Sequence, residues 1–211
     1  MAHKKTPKKG SGKTLLLACG ALAREILALN KLNGWDCFTV ECLPAQLHWY
    51  PEKIPDAVRQ KIREVKSDYD RIFVLFADCG TGGLLDKVLE EEGAERIPGP
   101  HCYSFFSGNA RFEQASFNED MTSFYLTDFS VRQFEKFVWE GLGLDRHPEL
   151  LATYFGNYTK VIYLAQTEDC DLQEKARSAA ERLGLEYECR FTGYGDLASY
   201  METAATARFG C

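Results

Sequence analysis

Along this chain, short unbroken apolar runs alternate with stretches whose apolar residues return every three or four positions, so strands alternate with helices. Residues 14–18 (TLLLA) read as a buried strand. Residues 21–32 follow as a helix, with Leu22, Ile26, Leu29 and Leu32 on one face and Asn33-Gly34 as the stop. A second strand spans 36–41, and residues 43–48 make a turn or short helix. Pro55 suits the first turn of a helix reaching Lys66, whose inner stripe is Val58, Ile62 and Val65. The continuous apolar run at 71–77 needs cover on both faces, as a strand inside a parallel sheet does. Glycine-rich residues 78–83 join it to a helix at 84–92, Gly93 ends that helix, and a short fourth strand is expected at 94–97.

The second half repeats the alternation less tightly. Residues 123–126 open either a strand or a helix, and Asp128 caps a helix running to about Glu140 with Phe134, Phe137 and Val138 inward. A loop at 141–148 leads into a helix at 148–155, then come a strand at 159–165, a helix at 171–183 and a strand at 185–191. Gly193-Tyr194-Gly195 opens a final helix. This alternation predicts an α/β fold: a Rossmann-like, mostly parallel sheet with helices on both faces and right-handed crossovers. The expected organisation is a disordered basic leader over 1–13 and a single α/β domain over 14–211, drawn as one body or as two interlocked halves, 14–120 and 121–211.

Composition narrows the classes. With 45% hydrophobic and 13% aromatic residues the chain can bury a core, so its eight cysteines are not needed as a disulfide scaffold, and a reducing cytoplasm is the expected location. The net charge of −6 hides an asymmetry, because Lys4, Lys5, Lys8, Lys9 and Lys13 crowd the leader and leave an acidic body. Such a body is a poor surface for nucleic acid, and a lysine run without interleaved aromatics reads as a solvated tail. No apolar stretch approaches the about 18 residues that cross a bilayer, so no membrane role is expected. Leu15-Leu16-Leu17-Ala18-Cys19 after the lysines imitates a lipoprotein signal, but its apolar core is too short. Gly10-Ser11-Gly12-Lys13-Thr14 imitates a phosphate-binding loop, yet Pro7 stands where the first glycine is required and the segment precedes its strand.

Candidate chemistry gathers around four cysteines. Cys19, Cys42, Cys79 and Cys102 each sit at or just past the end of an apolar run. Open α/β sheets keep their ligand crevice at the carboxyl edge, and neighbouring strands there lie about 5 Å apart. Thiols on such strands can share one ion, with His48 or His101 able to replace a thiol. Thiolates with imidazole favour zinc, and an all-cysteine iron–sulfur cluster is the alternative, although no compact ferredoxin spacing is present. Cys37, Cys170, Cys189 and Cys211 lie in weaker contexts and receive no role. Gly80, Thr81, Gly82 and Gly83 can cradle a phosphate or carboxylate of a small-molecule ligand, because glycines permit close backbone approach and the next helix offers free N–H groups. The same helix start can make Cys79 a reactive thiolate. Asp145 and His147, flanking Arg146, offer acid–base groups if their loop folds over the crevice. Glu90-Glu91-Glu92 reads as a solvated helix end.

The segments CGALARE (19–25), CLPAQLH (42–48), ADCGTGG (77–83), RIPGPHCY (96–103), GLGLDRHPEL (141–150) and YFGNYTKVIYLAQT (154–167) together resemble domain-of-unknown-function family 1638, a bacterial and archaeal group. The resemblance implies a link with corrinoid-dependent methyl transfer, since some members are encoded beside, or joined to, corrinoid-binding and methyltransferase proteins. It carries Cys19, Cys42, Cys79, His101 and Cys102 onto the family's pattern as metal ligands. Where many relatives have Asn after the histidine of CLPAQLH, this chain has Trp49. The expected function is therefore a cysteine-rich metal-binding protein that takes part in or supports corrinoid-linked one-carbon transfer, with a corrinoid protein or methyltransferase as partner. Two other readings stand beside it: a non-enzymatic accessory module of a corrinoid protein, and a metal-free enzyme acting on a phosphorylated small molecule through residues 80–83.

Overall fold

A computed structural model describes residues 13–116 and 121–206; apart from Lys13, the basic leader and its expected disorder lie outside the described residues. By their contacts, the residues up to Cys102 together with those from Leu197 onward form one compact unit, and residues 103–196 form a second.

In the first unit, strands that are apolar on both sides of the pleat take the middle of a sheet. β1 (Thr14–Cys19) is buried at all six positions. It pairs in parallel with β2 (Phe38–Leu43) on one side and β3 (Arg71–Leu75) on the other, and β3 pairs with the two-residue β4 (Glu95–Arg96), giving the order β2-β1-β3-β4. α1 (Ala23–Asn33), α2 (Ile54–Val65) and α3 (Leu84–Glu92) make the crossovers. The stripe Val58, Ile62, Val65 of α2 is buried as expected, together with Ile54 and Pro55. Leu32 departs from expectation and is 77% exposed. At 100° per residue it stands roughly a quarter turn off the line through Leu22, Ile26 and Leu29. The acidic end of α3 is not a lone solvated tail either. Glu91 accepts from Arg59, and Glu92 from Arg63 (2.6 Å) and Lys66 (3.3 Å), which ties α3 to α2.

The second unit carries its own parallel sheet, β5 (Ser123–Thr127), β6 (Lys160–Ala165) and β7 (Glu186–Phe191), in that order. The α/β, Rossmann-like class holds, with the strands divided between two parallel sheets. Helices α4 (Ser104–Ser107) and α5 (Asn109–Ser116) fill a stretch without a sequence assignment, because Gly108, with φ of +83°, breaks any continuous apolar stripe.

The helix expected over 128–140 is α6 (Asp128–Arg132) followed by a π-helical stretch (Phe134–Trp139). Thr127 caps it, not Asp128: the Thr127 hydroxyl accepts from Ser130 N–H and the Ser130 hydroxyl accepts from Thr127 N–H. Beyond α7 (Leu151–Phe155), α8 (Cys170–Leu183) is capped by Asp169 and lays Leu172, Ala176, Ala179, Ala180 and Leu183 into a core with Val161, Tyr163 and Ala165. The chain continues in α9 (Gly195–Thr206). No helix among the described residues is long and apolar enough to cross a membrane.

Candidate metal centre

Strand order sets the site. β1 and β3 are neighbours, but the chain leaves β1 toward β2 and leaves β3 toward β4, so a crevice opens between the two departing loops. Cys19 is the last residue of β1, and Cys79 follows β3. On the β2 side Gly20 permits close approach: a Cβ there would stand 3.0 Å from the Leu43 carbonyl oxygen and 3.3 Å from the Ala45 nitrogen. That lets the 3-10 turn Ala45–Trp49 run past the end of β1 and carry His48 in. On the β4 side two backbone bonds extend the pairing beyond the strands, Asp78 N–H to Gly99 O (2.9 Å) and Cys79 N–H to Pro100 O (2.8 Å). They set Cys79 beside Cys102, with 3.3 Å between the sulfurs.

The outcome is one imidazole and two thiols, His48, Cys79 and Cys102, whose ligand atoms all lie within 4.8 Å of one another; the group can hold a metal ion. Both thiols are buried and His48 is half-buried. His48 Nδ1 lies 3.1 Å from the Ala45 carbonyl oxygen, and a ring N–H donated there leaves Nε2 with the lone pair a cation needs. Cys79 has φ of +48°, and no other non-glycine among the described residues has a positive φ. Such strain costs on the order of 1–3 kcal/mol and collects at functional sites.

Without a cation the thiols resist ionisation. The hydrogen bond with Cys102, then burial, lifts the Cys79 thiol far above its ordinary range. The bond with Cys19 leads the causes that lift Cys102. Burial disfavours a charged His48, but its hydrogen bonds with Cys102 and Cys79 outweigh burial and raise its pKa. A divalent ion takes the place of these protons, so binding releases them.

The other sequence candidates separate. Cys19 adjoins the group: its sulfur lies 3.6 Å from His48 Nδ1 and accepts from Ala21 N–H at 3.4 Å. Cys42 does not join it. It is exposed and in register with Ala18, whereas Leu43 is in register with Cys19; a one-residue offset turns its thiol to the opposite face. His101 is outside the three-residue group, within electrostatic reach of Asp78 and His48, and burial leads in lowering its pKa. Gly80, Thr81, Gly82 and Gly83 do form the turn into α3, but Asp78 takes the donors that an anion would use. Its carboxylate accepts from the Thr81 hydroxyl (2.7 Å), Gly83 N–H (2.8 Å) and Gly82 N–H (3.1 Å). Asp145 and His147 belong to the second unit and are exposed, Asp145 3.7 Å from Arg146 and His147 3.1 Å from Glu149. His48 had been only a substitute ligand. Its signal was its place six residues past Cys42, in the loop leaving a strand.

Comparison with protein-family models matches residues 42–201 to the family described as "Protein of unknown function (DUF1638)". The matched segment includes His48, Cys79 and Cys102 and begins after Cys19. No curated protein and no solved structure matches the chain.

Proposed function

This chain belongs to the DUF1638 family, and on that premise we propose that it is a zinc protein of corrinoid-linked methyl transfer, holding the ion through His48, Cys79 and Cys102. The observation that carries the metal reading is the convergence of these three side chains, from the loops after β2, β3 and β4, within 4.8 Å. Two thiolates and one neutral imidazole balance the charge of a divalent cation, which reduces the cost of burying it. Sulfur with imidazole nitrogen is a zinc donor set, and three protein ligands leave one coordination position for an exchangeable ligand. Zinc so held supplies Lewis acidity toward a soft donor such as a thiol. An iron–sulfur cluster is less favoured, since Cys42 stays outside the group and two sulfurs fall short of the four such clusters take. A phosphate site at residues 80–83 is less favoured too, because an anion would meet the Asp78 carboxylate.

The corrinoid link is supported by the resemblance alone, and from it we take a corrinoid protein or methyltransferase in the cytoplasm as the partner. Purification under reducing, anaerobic conditions followed by elemental analysis tests the metal. One zinc per chain is expected, lost in His48→Ala, Cys79→Ser and Cys102→Ser and kept in Cys42→Ser. Retention of full zinc by the Cys79 and Cys102 variants would remove the reading. For the partner, a deletion strain should grow poorly on methylated donors; normal growth on all of them would end the corrinoid assignment.

A further inference from the structure

We propose that Cys79 and Cys102 are also a redox pair, which a hydroperoxide closes into a disulfide, and that this bond and a bound ion exclude each other. The exclusion rests on the metal reading above; the pair itself rests on geometry. Two thiolates on one tetrahedral zinc stand about 3.8 Å apart, given metal–sulfur bonds of about 2.3 Å, and a disulfide bond is about 2.05 Å long. The observed 3.3 Å lies between the two. A spread of about half an ångström admits the ion, and a closure of about 1.3 Å makes the bond.

The surroundings say which partner moves. Cys102 has two sulfur neighbours, Cys79 and Cys19. Cys19 ends a strand paired on both sides, and its sulfur is engaged by Ala21 N–H and His48. Cys79 instead stands in a loop with Gly80, Gly82 and Gly83, in a left-handed conformation that a non-glycine residue holds only at a cost. Movement there relieves strain at the cost of the one Cys79–Pro100 backbone bond, whereas movement at Cys19 would break sheet pairing. The remaining free cysteines among the described residues, Cys42, Cys170 and Cys189, are exposed.

The chemistry balances with hydrogen peroxide as oxidant. One thiol sulfur attacks a peroxide oxygen, the O–O bond breaks, and the thiol proton passes to the leaving hydroxide, giving a sulfenic acid and one water. The second thiol attacks the sulfenic sulfur, forming the S–S bond and expelling a second water. Two thiols and one peroxide become one disulfide and two waters, each sulfur giving up one electron. Neither sulfur then has the thiolate charge that an ion requires.

The test uses the full chain, reduced, with and without zinc, treated with one equivalent of hydrogen peroxide. Expected are a mass about 2 Da lower and a tryptic cross-link between peptides 72–87 and 97–111, which hold Cys79 and Cys102. Bound zinc should leave one for one, read by a chromogenic chelator, and dithiothreitol with added zinc should restore it. A cross-link from Cys102 to Cys19, sulfinic acid at either cysteine, or zinc retained after disulfide formation would each overturn the proposal. His48→Ala keeps both thiols and should still close the bond while holding no zinc. If the reduced wild type takes up no zinc, the metal reading fails on that measurement, and mass and peptide mapping of the same sample still decide the redox pair.

Discussion

Asp128 shows how a side chain's role is settled by neighbours distant in sequence. It is fully buried, and its carboxylate accepts from the Tyr163 hydroxyl (2.7 Å), Gln166 N–H (3.0 Å) and the Thr167 hydroxyl (2.6 Å), with the Arg132 guanidinium at 3.2 Å. Removing its charge strands those donors, so Asp128→Asn should lower unfolding free energy by about 2–4 kcal/mol in urea melts. Tyr163 gives the matching pH signature. Burial first, then the Asp128 carboxylate, raises its pKa, so above the ordinary tyrosine value near 10 the unfolded chain releases a proton that the folded one keeps. Wild-type stability should therefore fall more steeply above pH 10 than that of Tyr163→Phe; equal slopes would refute the network. The sequence points to Asp128 as the cap, and nothing local turns its side chain inward instead. Tyr163 in β6 and Gln166 just beyond it do so, by donating to its carboxylate. Cys42 stands outside the group for a similar reason: a residue near a strand end is legible, but which face it takes depends on register with β1.

The loop between β3 and α3 is the element on which the site depends. Asp78 ties it down through Thr81, Gly82 and Gly83, and although burial works against its charge, those bonds outweigh burial and hold its carboxyl below the ordinary value of 3.8. That contribution is present above the unfolded pKa and lost as pH falls through the folded one. Acid melts should show wild type losing more stability than Asp78→Ala below about pH 4. At neutral pH Asp78→Ala should weaken zinc binding about tenfold or more, read by competition with a chelator, because Cys79 loses its fixed position. Unchanged affinity would show that the Cys79–Pro100 and Asp78–Gly99 backbone bonds suffice. Strands and crossover helices here were legible from apolar runs and glycine stops. The π-helical turn at 134–139 and the helices at 104–116 were not, since one changes the helical period midway and the other pair is split by Gly108.

Each of the two compact units carries its own sheet, and the thiol–imidazole group belongs to the first. A bound ion stabilises only what its ligands belong to, by an amount set by its concentration relative to Kd. Hydrogen exchange with and without zinc should therefore slow in residues 38–102 and stay unchanged in β6 and α8; protection gained equally in both would contradict a centre confined to the first unit. Family membership and the α/β class were readable in advance, and of the four cysteines expected at one carboxyl edge Cys79 and Cys102 meet, with Cys19 beside His48. The choice between one body and two halves was not, because short parallel strands do not announce which partner they take.

The backbone bonds that join residues 78 and 79 to residues 99 and 100 have one more implication. They clasp the ligand loops with amide groups alone, so the entropy of bringing Cys79 to Cys102 is settled during folding and owes nothing to a cation. A chelator should strip the zinc and leave a folded, preorganised apoprotein, unlike small zinc domains that collapse when their metal is withdrawn.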